Sequence, residues 1–194
     1  MKVSSSKVAE HRAALVATAK RLLQERGFDG AGVIDISREA GLTQGALYGQ
    51  FGSKDALAAE AVRKAFNDGA AAWDELLDKA PDALSAYLDA SLSEAHVHDA
   101  GSGCPMSACV SEIGRQDPAI CAAFAEGFQN LLRQVQDMLP EGTPPDAARR
   151  RALALVSAVV GTVSIARAVE AADPALSKEL IAAARQELEE LARR

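Results

Sequence analysis

The segment Thr43–Phe51 reads Thr-Gln-Gly-Ala-Leu-Tyr-Gly-Gln-Phe. Leu47 and Phe51 are four residues apart, so they fall on one face of a helix and predict its apolar, inward side. Thr43 is typical of a helix N-cap, because its hydroxyl can accept a hydrogen bond from a backbone N–H of the first turn. Gly41 suits the left-handed turn that ends a preceding short helix. Two short helices joined in this way predict a helix-turn-helix whose second helix reads DNA.

The outward face of that second helix carries side chains suited to DNA recognition. Gln44 is the best candidate for a base contact, because a side-chain amide both donates and accepts and matches adenine bidentately in the major groove. Gly45 and Ala46 leave room for close approach, and the Ala46 methyl group can meet a thymine methyl. The pattern therefore predicts a reading surface that begins at Gln44.

A longer stretch resembles the DNA-binding domain of the TetR/AcrR repressors. It runs from Ile36 to Leu57 as Ile-Ser-Arg-Glu-Ala-Gly-Leu-Thr-Gln-Gly-Ala-Leu-Tyr-Gly-Gln-Phe-Gly-Ser-Lys-Asp-Ala-Leu, with Gly27-Phe28 before it. The motif covers roughly a quarter of the chain. The resemblance implies phosphate contacts from the side chains of Tyr48, Gln50 and Lys54 and from backbone N–H groups at helix N-termini. The predicted DNA-binding residues are then Thr43, Gln44, Gly45, Ala46, Tyr48, Gln50 and Lys54.

Two positions depart from the family pattern. Relatives usually open the first helix of the motif with a hydroxyl residue, whereas this chain has Ala31-Gly32-Val33. Gly49 lies inside the reading helix, where relatives usually have a larger residue. It costs about 1 kcal/mol of helix stability relative to alanine and removes a contact. We hypothesise that the affinity of one copy for its half-site is modest.

Composition and charge indicate a helical protein with two unlike parts. Of the 194 residues, 48% are hydrophobic and only 4% are aromatic, which favours packed helices built on Ala, Leu and Val. Residues 1–55 carry eight basic and six acidic side chains, and residues 56–194 carry 13 basic and 21 acidic ones. A mildly basic head of residues 1–55 on an acidic body of residues 56–194 suits phosphate binding at one end.

The sequence predicts an all-α protein of about nine helices. The first three, over about residues 7–26, 33–40 and 44–51, form an N-terminal DNA-binding domain with the helix-turn-helix. The larger body then follows, and the resemblance implies that it binds a ligand and dimerises. Its helices are predicted over about residues 53–78, 82–96, 104–116, 118–139, 145–171 and from 174 onward.

The last two predicted helices are expected to form the interface of a homodimer. The helix over residues 145–171 places small residues among valines and leucines, and such faces pack closely. A buried helix of the monomer core would look similar. A small reading head, however, needs a second copy to fix its site, and a two-fold dimer supplies it. With the resemblance added, we predict a four-helix interface from residues 145–193.

The resemblance also implies an effector pocket in the body for an unidentified small-molecule inducer. Large side chains are scarce here, and those that suit a pocket wall are equally typical of plain core. The candidate lining residues are Phe66, Trp73, Tyr87, Met106, Phe124 and Phe128.

Cys104 is a candidate redox sensor. It precedes Pro105 at the predicted start of a helix, where the helix dipole can lower a thiol pKa. Some members of the resembled family respond to electrophiles or oxidants through one cysteine. The alternative is a small buried hydrophobe.

Other kinds of site find no support in the sequence. His96 and His98 are two residues apart and diverge on a helix, and no paired cysteine motif is present, so neither a metal nor another cofactor is expected. No nucleophile motif or phosphate-binding glycine loop indicates an enzyme. The polar start of the chain and the short apolar run 152–166 predict a soluble cytoplasmic protein without a membrane partner.

Two interpretations follow from the sequence. The first is a dimeric transcriptional repressor that binds palindromic double-stranded operator DNA and is released by a small molecule or by thiol modification. The second is an all-helical ligand-binding or protein-interaction module that does not read DNA specifically, which the departures at Gly32 and Gly49 keep open.

Overall fold

The computed structural model describes residues 5–101 and 103–193. Within these ranges the chain forms ten α-helices and no strand. The helices are α1 (Ser5–Gly30), α2 (Val33–Glu39), α3 (Gln44–Phe51), α4 (Lys54–Leu77), α5 (Ala83–Ser91), α6 (Glu94–His98), α7 (Pro105–Ile113), α8 (Pro118–Asp137), α9 (Pro145–Glu170) and α10 (Pro174–Arg193). The predicted all-α class is confirmed.

The first three helices enclose a small apolar core. Leu15 and Leu22 of α1, Ile36 of α2 and Leu47 of α3 are all within 2% of full burial. Phe28, which is 2% exposed, completes this core. Gly27 before it has a φ of 73°, which interrupts the helical backbone of α1. A positive φ is readily adopted by glycine and is costly for other residues. The local glycine therefore sets where α1 stops and how its last turn folds back.

Short-range capping fixes the helix-turn-helix as the sequence predicts. Gly41 has a φ of 68° in the turn between α2 and α3. The Thr43 hydroxyl accepts a hydrogen bond from the Ala46 backbone N–H at 3.2 Å, and the Ser53 hydroxyl caps α4 in the same way. Gly32 offers α2 no side-chain cap. The helix boundaries here follow from residues within three positions of each end.

The body is built on α4, α8, α9 and α10. The helix α4 packs between α1 and α8, and α10 lies along α9. Their buried side chains are mainly Val, Leu and Ile, including Ile120, Leu132, Leu155 and Val163. Because α4 contacts both α1 and α8, it connects the head to the body.

One predicted helix divides in two. The helix expected over residues 82–96 ends at Ser91, because Leu92 takes a non-helical φ and ψ of −101° and 60°. Ser93 then caps α6 by accepting from the His96 backbone N–H at 3.1 Å. The helix expected over residues 104–116 also ends earlier, at Ile113. The described residues therefore form ten helices instead of about nine.

The helix α9 is long and apolar enough to cross a membrane by length and composition alone. Only 39% of its most apolar window is buried. The uncharged apolar run 152–166 is only part of this helix, which has 26 residues. Its buried side packs on α7, α8 and α10, so its exposed apolar side needs a separate explanation.

Candidate nucleic-acid interface and effector cavity

The reading helix α3 is held by one apolar face and presents the other to solvent. Leu47 is fully buried, whereas Gln44 and Gly45 are exposed and the Tyr48 residue is 48% exposed. Ala46 is half-buried. Gln44, Gly45 and Tyr48 thus lie on an open surface at the start and middle of α3.

Gln50 and Lys54 are less free than the sequence indicates. Gln50 is half-buried, and its side-chain oxygen is buried without a hydrogen-bond partner, so a phosphate contact by this residue stays a prediction. The Lys54 ammonium donates to the Phe28 backbone oxygen at 2.7 Å in a partly buried contact. Lys54 therefore first joins α4 to the end of α1. The Lys54 ammonium has two further N–H groups that can donate to a phosphate, and this contact stays a prediction.

Arg12 supports the reading helix from behind, and sequence reasoning missed it. Its guanidinium donates to the Gln50 backbone oxygen at 3.0 Å, lies 4.2 Å from the centre of the Phe51 ring and pairs with Glu60. A cation at a helix C-terminus complements the helix dipole. No short-range pattern could reveal this contact, because 38 residues separate Arg12 from Gln50.

Three arginines of α1 and α2 are paired with carboxylates. Arg21 binds both Glu25 and Glu39, and Arg26 lies 3.1 Å from Glu39. The hydrogen bond from Arg21 holds the pKa of the Glu39 carboxyl below its usual range. Arg38 pairs with Asp35 on α2. Each of these guanidinium groups therefore has at least one carboxylate as its partner.

A cavity of about 380 Å³ lies between α4, α8 and the segment before α7. Its size falls in the range of about 300–1,000 Å³ that is usual for small-molecule sites. The wall is mostly apolar, with a few amide and imidazole groups. It consists of Phe66, Asn67, Gly69, Ala70, Ala72, Trp73, Leu76, Ala90, His96, Gly103, Cys104, Pro105, Gly127, Asn130, Leu131 and Gln134.

Two of the six predicted pocket residues, Phe66 and Trp73, line this cavity. The other four do not, so the predicted set is wrong for them. Tyr87 packs behind Trp73 with ring centres 5.0 Å apart, and Phe124 meets Phe66 edge-on at 5.5 Å. The remaining two, Met106 and Phe128, pack in or against the core. Large side chains fill space, whereas small ones such as Gly69 leave it open.

The glycine of α8 at this wall has a clear steric role. A Cβ atom at Gly127 would overlap the Phe66 ring. Without a side chain there, α8 approaches α4 closely enough for Phe66 to cover part of the cavity.

The cavity wall is joined directly to the DNA-binding head. Gln24, which is 5% exposed, donates from its side-chain amide to the Gly103 backbone oxygen at 2.7 Å. The Phe28 backbone N–H donates to a Glu112 carboxylate oxygen of α7 at 2.8 Å. Since the Phe28 oxygen accepts from Lys54, one peptide segment connects α7, α1 and α4.

Known families match this sequence in two parts. Residues 15–61 match the model of bacterial regulatory proteins of the tetR family. Residues 80–178, about half of the chain, match the C-terminal domain of LmrA/YxaF-like transcriptional regulators. The chain belongs to the TetR family of transcriptional regulators.

Individual relatives agree with this assignment. Two curated sequences from Mycobacterium tuberculosis strains, both described as uncharacterized HTH-type transcriptional regulators, are 29% identical over 163 residues, which cover 80% of this chain and 84% of theirs. The reduced form of Escherichia coli NemR shares the fold with a TM-score of 0.78 at 22% identity, covering 93% of this chain and 95% of that one. A TetR regulator from Chloroflexus aurantiacus has a TM-score of 0.77 at 22% identity, with 94% of each chain covered.

TetR-family membership decides between the two interpretations of the sequence. This family consists of DNA-binding transcriptional regulators and not of enzymes, and its members bind operator DNA. The module that does not read DNA is therefore set aside. The residues of α3 that contact the operator stay a prediction.

The Cys104 thiol of this TetR-family regulator is less acidic than the sequence predicts. Cys104 is the N-cap of α7 and lines the cavity. Burial nevertheless raises the pKa of its thiol, and the opposing effects of the Met106 and Ser107 backbone N–H groups and of Arg167 are smaller. The expected lowering of the thiol pKa is wrong because desolvation outweighs the helix terminus. Burial also raises the pKa of Cys109, to about 12.

Three of the exposed large apolar side chains of the regulator lie on α9 and α10. Leu153 is 37% exposed, Ile165 is 53% exposed and Leu176 is 40% exposed. A Cβ atom on Gly161 would have no neighbour within 4 Å. The surface of α9 at Gly161 is therefore not covered by any other part of the same chain.

A metal centre finds no support among residues 5–101 and 103–193, where no group of three or more His, Cys, Asp or Glu side chains converges. His98 instead lies 3.0 Å from Glu170.

Proposed function

We propose that this regulator is a homodimeric repressor that binds a palindromic operator and is released when a small molecule occupies the cavity. The observation that carries the proposal is the hydrogen bond from Gln24 to the Gly103 oxygen, because it ties a cavity wall to the DNA-binding head. A ligand that moves this wall must also disturb α1. The head comprises residues 1–55 and the body residues 56–194.

The operator contacts are assigned to the exposed side of α3 and its flanks. Gln44 contacts bases, and Gly45 and Ala46 allow close approach. Tyr48, Gln50 and Lys54, with the backbone N–H groups beside Thr43, contact phosphates. Support comes from the exposure of Gln44 and Tyr48 on the open face of α3.

Residues 145–193 form the dimer interface in this proposal. The exposed apolar side chains of α9 and α10 support it, since a two-fold arrangement would bury them against the same residues of a second copy. Two heads on one dimer read two half-sites, which compensates for a modest affinity of each. The dimer acts in the cytoplasm, where it meets the operator.

Release follows if the ligand favours a second arrangement of the cavity wall. The ligand shifts the equilibrium only by its difference in affinity for the two arrangements. Residues 103–105 form part of the wall, and α7 begins at Pro105, so a shift there also reaches Glu112 and its bond to Phe28. The spacing or tilt of the two heads then no longer fits the operator.

Thiol modification at Cys104 is a second route to release. Its position on the cavity wall supports this route, because an electrophile that enters the cavity meets the thiol. The raised pKa predicts a slow reaction. If a thiol-alkylating reagent modifies Cys104 and operator binding is unchanged, this route is excluded.

The proposal is tested by titrating the protein into the DNA upstream of its own gene at several salt concentrations. The expected result is specific binding that weakens steeply with salt, because phosphate contacts release counterions. The Gln44→Ala variant is expected to lose specificity and to retain the weak non-specific binding. Absent or salt-insensitive binding of the wild-type protein would overturn the proposal.

A further inference from the structure

One part of the cavity wall is formed by His96 of α6 and by the segment from Gly103 to Pro105, and Arg167 of α9 donates to backbone oxygens of residues 96, 97 and 99 next to it. Gly103, His96 and Cys104 belong to the cavity wall. A Cβ atom on Gly103 would lie 2.5 Å from the Asp99 backbone oxygen, 3.2 Å from Arg167 Nη2 and 3.6 Å from His96 Nε2. The guanidinium, which packs behind the lining residues, and the imidazole, which is one of them, therefore lie beside the same point of the wall.

The Arg167 guanidinium is only partly used by the protein. Its Nε donates to the Val97 oxygen at 3.0 Å, and one terminal nitrogen donates to the oxygens of His96 at 2.7 Å and Asp99 at 3.3 Å. The other terminal nitrogen, Nη1, is buried without a hydrogen-bond partner. None of the salt bridges between described residues involves Arg167, although the Asp99 charge acts on it electrostatically. A buried guanidinium with a free donor is costly to leave unpaired.

His96 offers a second buried group at the same place. Its Nε2 atom is also buried without a hydrogen-bond partner. Burial and the nearby Arg167 charge both lower the pKa of this imidazole, so it is neutral near pH 7. A neutral imidazole can carry its proton on Nε2 and donate from there.

We infer that the effector is a small organic anion, with an apolar body against Phe66 and Trp73 and a carboxylate or comparable oxyanion held by Arg167 and His96. This inference rests on the proposed ligand-released function and names the chemical class of its ligand. An oxyanion can accept from His96 Nε2 and adds a negative charge beside the Arg167 guanidinium, and hydrogen bonds to a charged acceptor are about twice as strong as neutral ones. A neutral molecule of the same shape gains no attraction from the guanidinium charge.

Matched pairs of probes test the inference on the full-length protein. We would use naphthoate and naphthamide, phenylbutyrate and phenylbutyramide, and cyclohexylacetate and cyclohexylacetamide. Binding is measured by calorimetry, and quenching of Trp73 reports the location, because Trp73 is the single tryptophan of the chain and lines the cavity. At least one carboxylate is expected to bind about tenfold or more tightly than its amide.

Three variants separate the charge from the fold. Arg167→Gln is expected to remove the preference for the carboxylate, and Arg167→Lys to retain part of it. Arg133→Gln is the matched control, because it removes one positive charge from an exposed position on α8 outside the cavity. Since Arg167 also bonds to α6, its loss can unfold the protein. His96→Leu therefore provides an independent test and is expected to weaken carboxylate binding several-fold without changing amide binding.

The outcomes distinguish this inference from the proposed function. Equal binding of carboxylates and amides, or no binding of any probe, overturns the anionic class whether or not the protein binds its operator. An unchanged carboxylate preference in both Arg167→Gln and His96→Leu also overturns it. A carboxylate preference in a protein that fails to bind upstream DNA supports the inference about the cavity and contradicts the repressor function.

Discussion

Single residues set the shape of the effector cavity, and Gly127 is the clearest case. We expect Gly127→Ala to destabilise the protein by about 1–3 kcal/mol, because its methyl group would overlap the Phe66 ring and overpacked cores respond in this range. The free energy of unfolding in urea measures the effect.

Gly69→Ala is the matched control, since a Cβ on that mid-helix glycine meets nothing within 4 Å. It is expected to raise stability by up to about 1 kcal/mol through helix propensity. Equal effects of the two substitutions on the free energy of unfolding would contradict the predicted overlap between a side chain at position 127 and the Phe66 ring.

The cysteine thiols give a prediction for pH. Folding raises the pKa of both Cys104 and Cys109 above the ordinary thiol value, in the case of Cys109 to about 12. Only the thiolate reacts, so alkylation of the folded protein by iodoacetamide is expected to be slow at pH 7 and to accelerate steadily as the pH rises past 9. Mass spectrometry of the modified peptides measures the rates.

The urea-unfolded protein is the reference, because its thiols titrate near about 8.5. If Cys104 in the folded protein reacts faster at pH 7 than in the unfolded chain, its thiolate is stabilised and our account of its burial is wrong.

How much of the site is readable from sequence depends on the distance over which each residue acts. The Thr43 cap and the Gly41 turn involve neighbours in the chain, and both are confirmed. The Arg12 contact with Gln50 and the Lys54 contact with Phe28 join distant segments, so spacing alone cannot reveal them. Choosing pocket residues by size failed for a related reason, because a cavity is defined largely by where side chains are small.

At the scale of single helices, the reading helix α3 is short and contains a glycine on its exposed side. A Cβ atom on Gly49 would meet nothing within 4 Å, so alanine fits without rearrangement. We expect Gly49→Ala to raise the free energy of unfolding by about 1 kcal/mol and to strengthen operator binding, because α3 would be better ordered before it meets DNA.

Thermal unfolding and the operator dissociation constant measure these two effects. A variant that melts no later and binds no better than the wild-type protein would contradict the idea that Gly49 limits affinity.

Helix boundaries were predictable where a cap or a proline marks them and less so elsewhere. Asp117 accepts a hydrogen bond from the Ala119 backbone N–H before α8, and Pro118 follows as the first residue of that helix. The division between α5 and α6 differs from the single helix that the sequence predicts, because leucine is not a residue that typically ends a helix and yet Leu92 takes non-helical angles. Ser93 is the signal that could have located the start of α6.

At the scale of the whole molecule, the dimer is the next requirement of the account. We expect Gly161→Arg to yield a folded monomer, because position 161 has open space within one chain and lies on the side assigned to the partner. Sedimentation measures the mass, and circular dichroism checks the fold.

Ala122→Arg on the exposed side of α8 is the control for a long cation on a small helical residue, and it should remain dimeric. If the Gly161→Arg protein is still dimeric, position 161 does not lie in the dimer interface.

Release by a ligand requires that occupation of the cavity changes the affinity of the head for DNA. The direct test is the dissociation constant for upstream DNA, measured with and without a saturating amount of the carboxylate probe that binds most tightly. We predict that the probe weakens operator binding by about 5–150-fold, the usual range of allosteric coupling, and that DNA weakens probe binding by the same factor. Unchanged operator affinity while the probe quenches Trp73 would contradict the claim that the occupied cavity releases DNA.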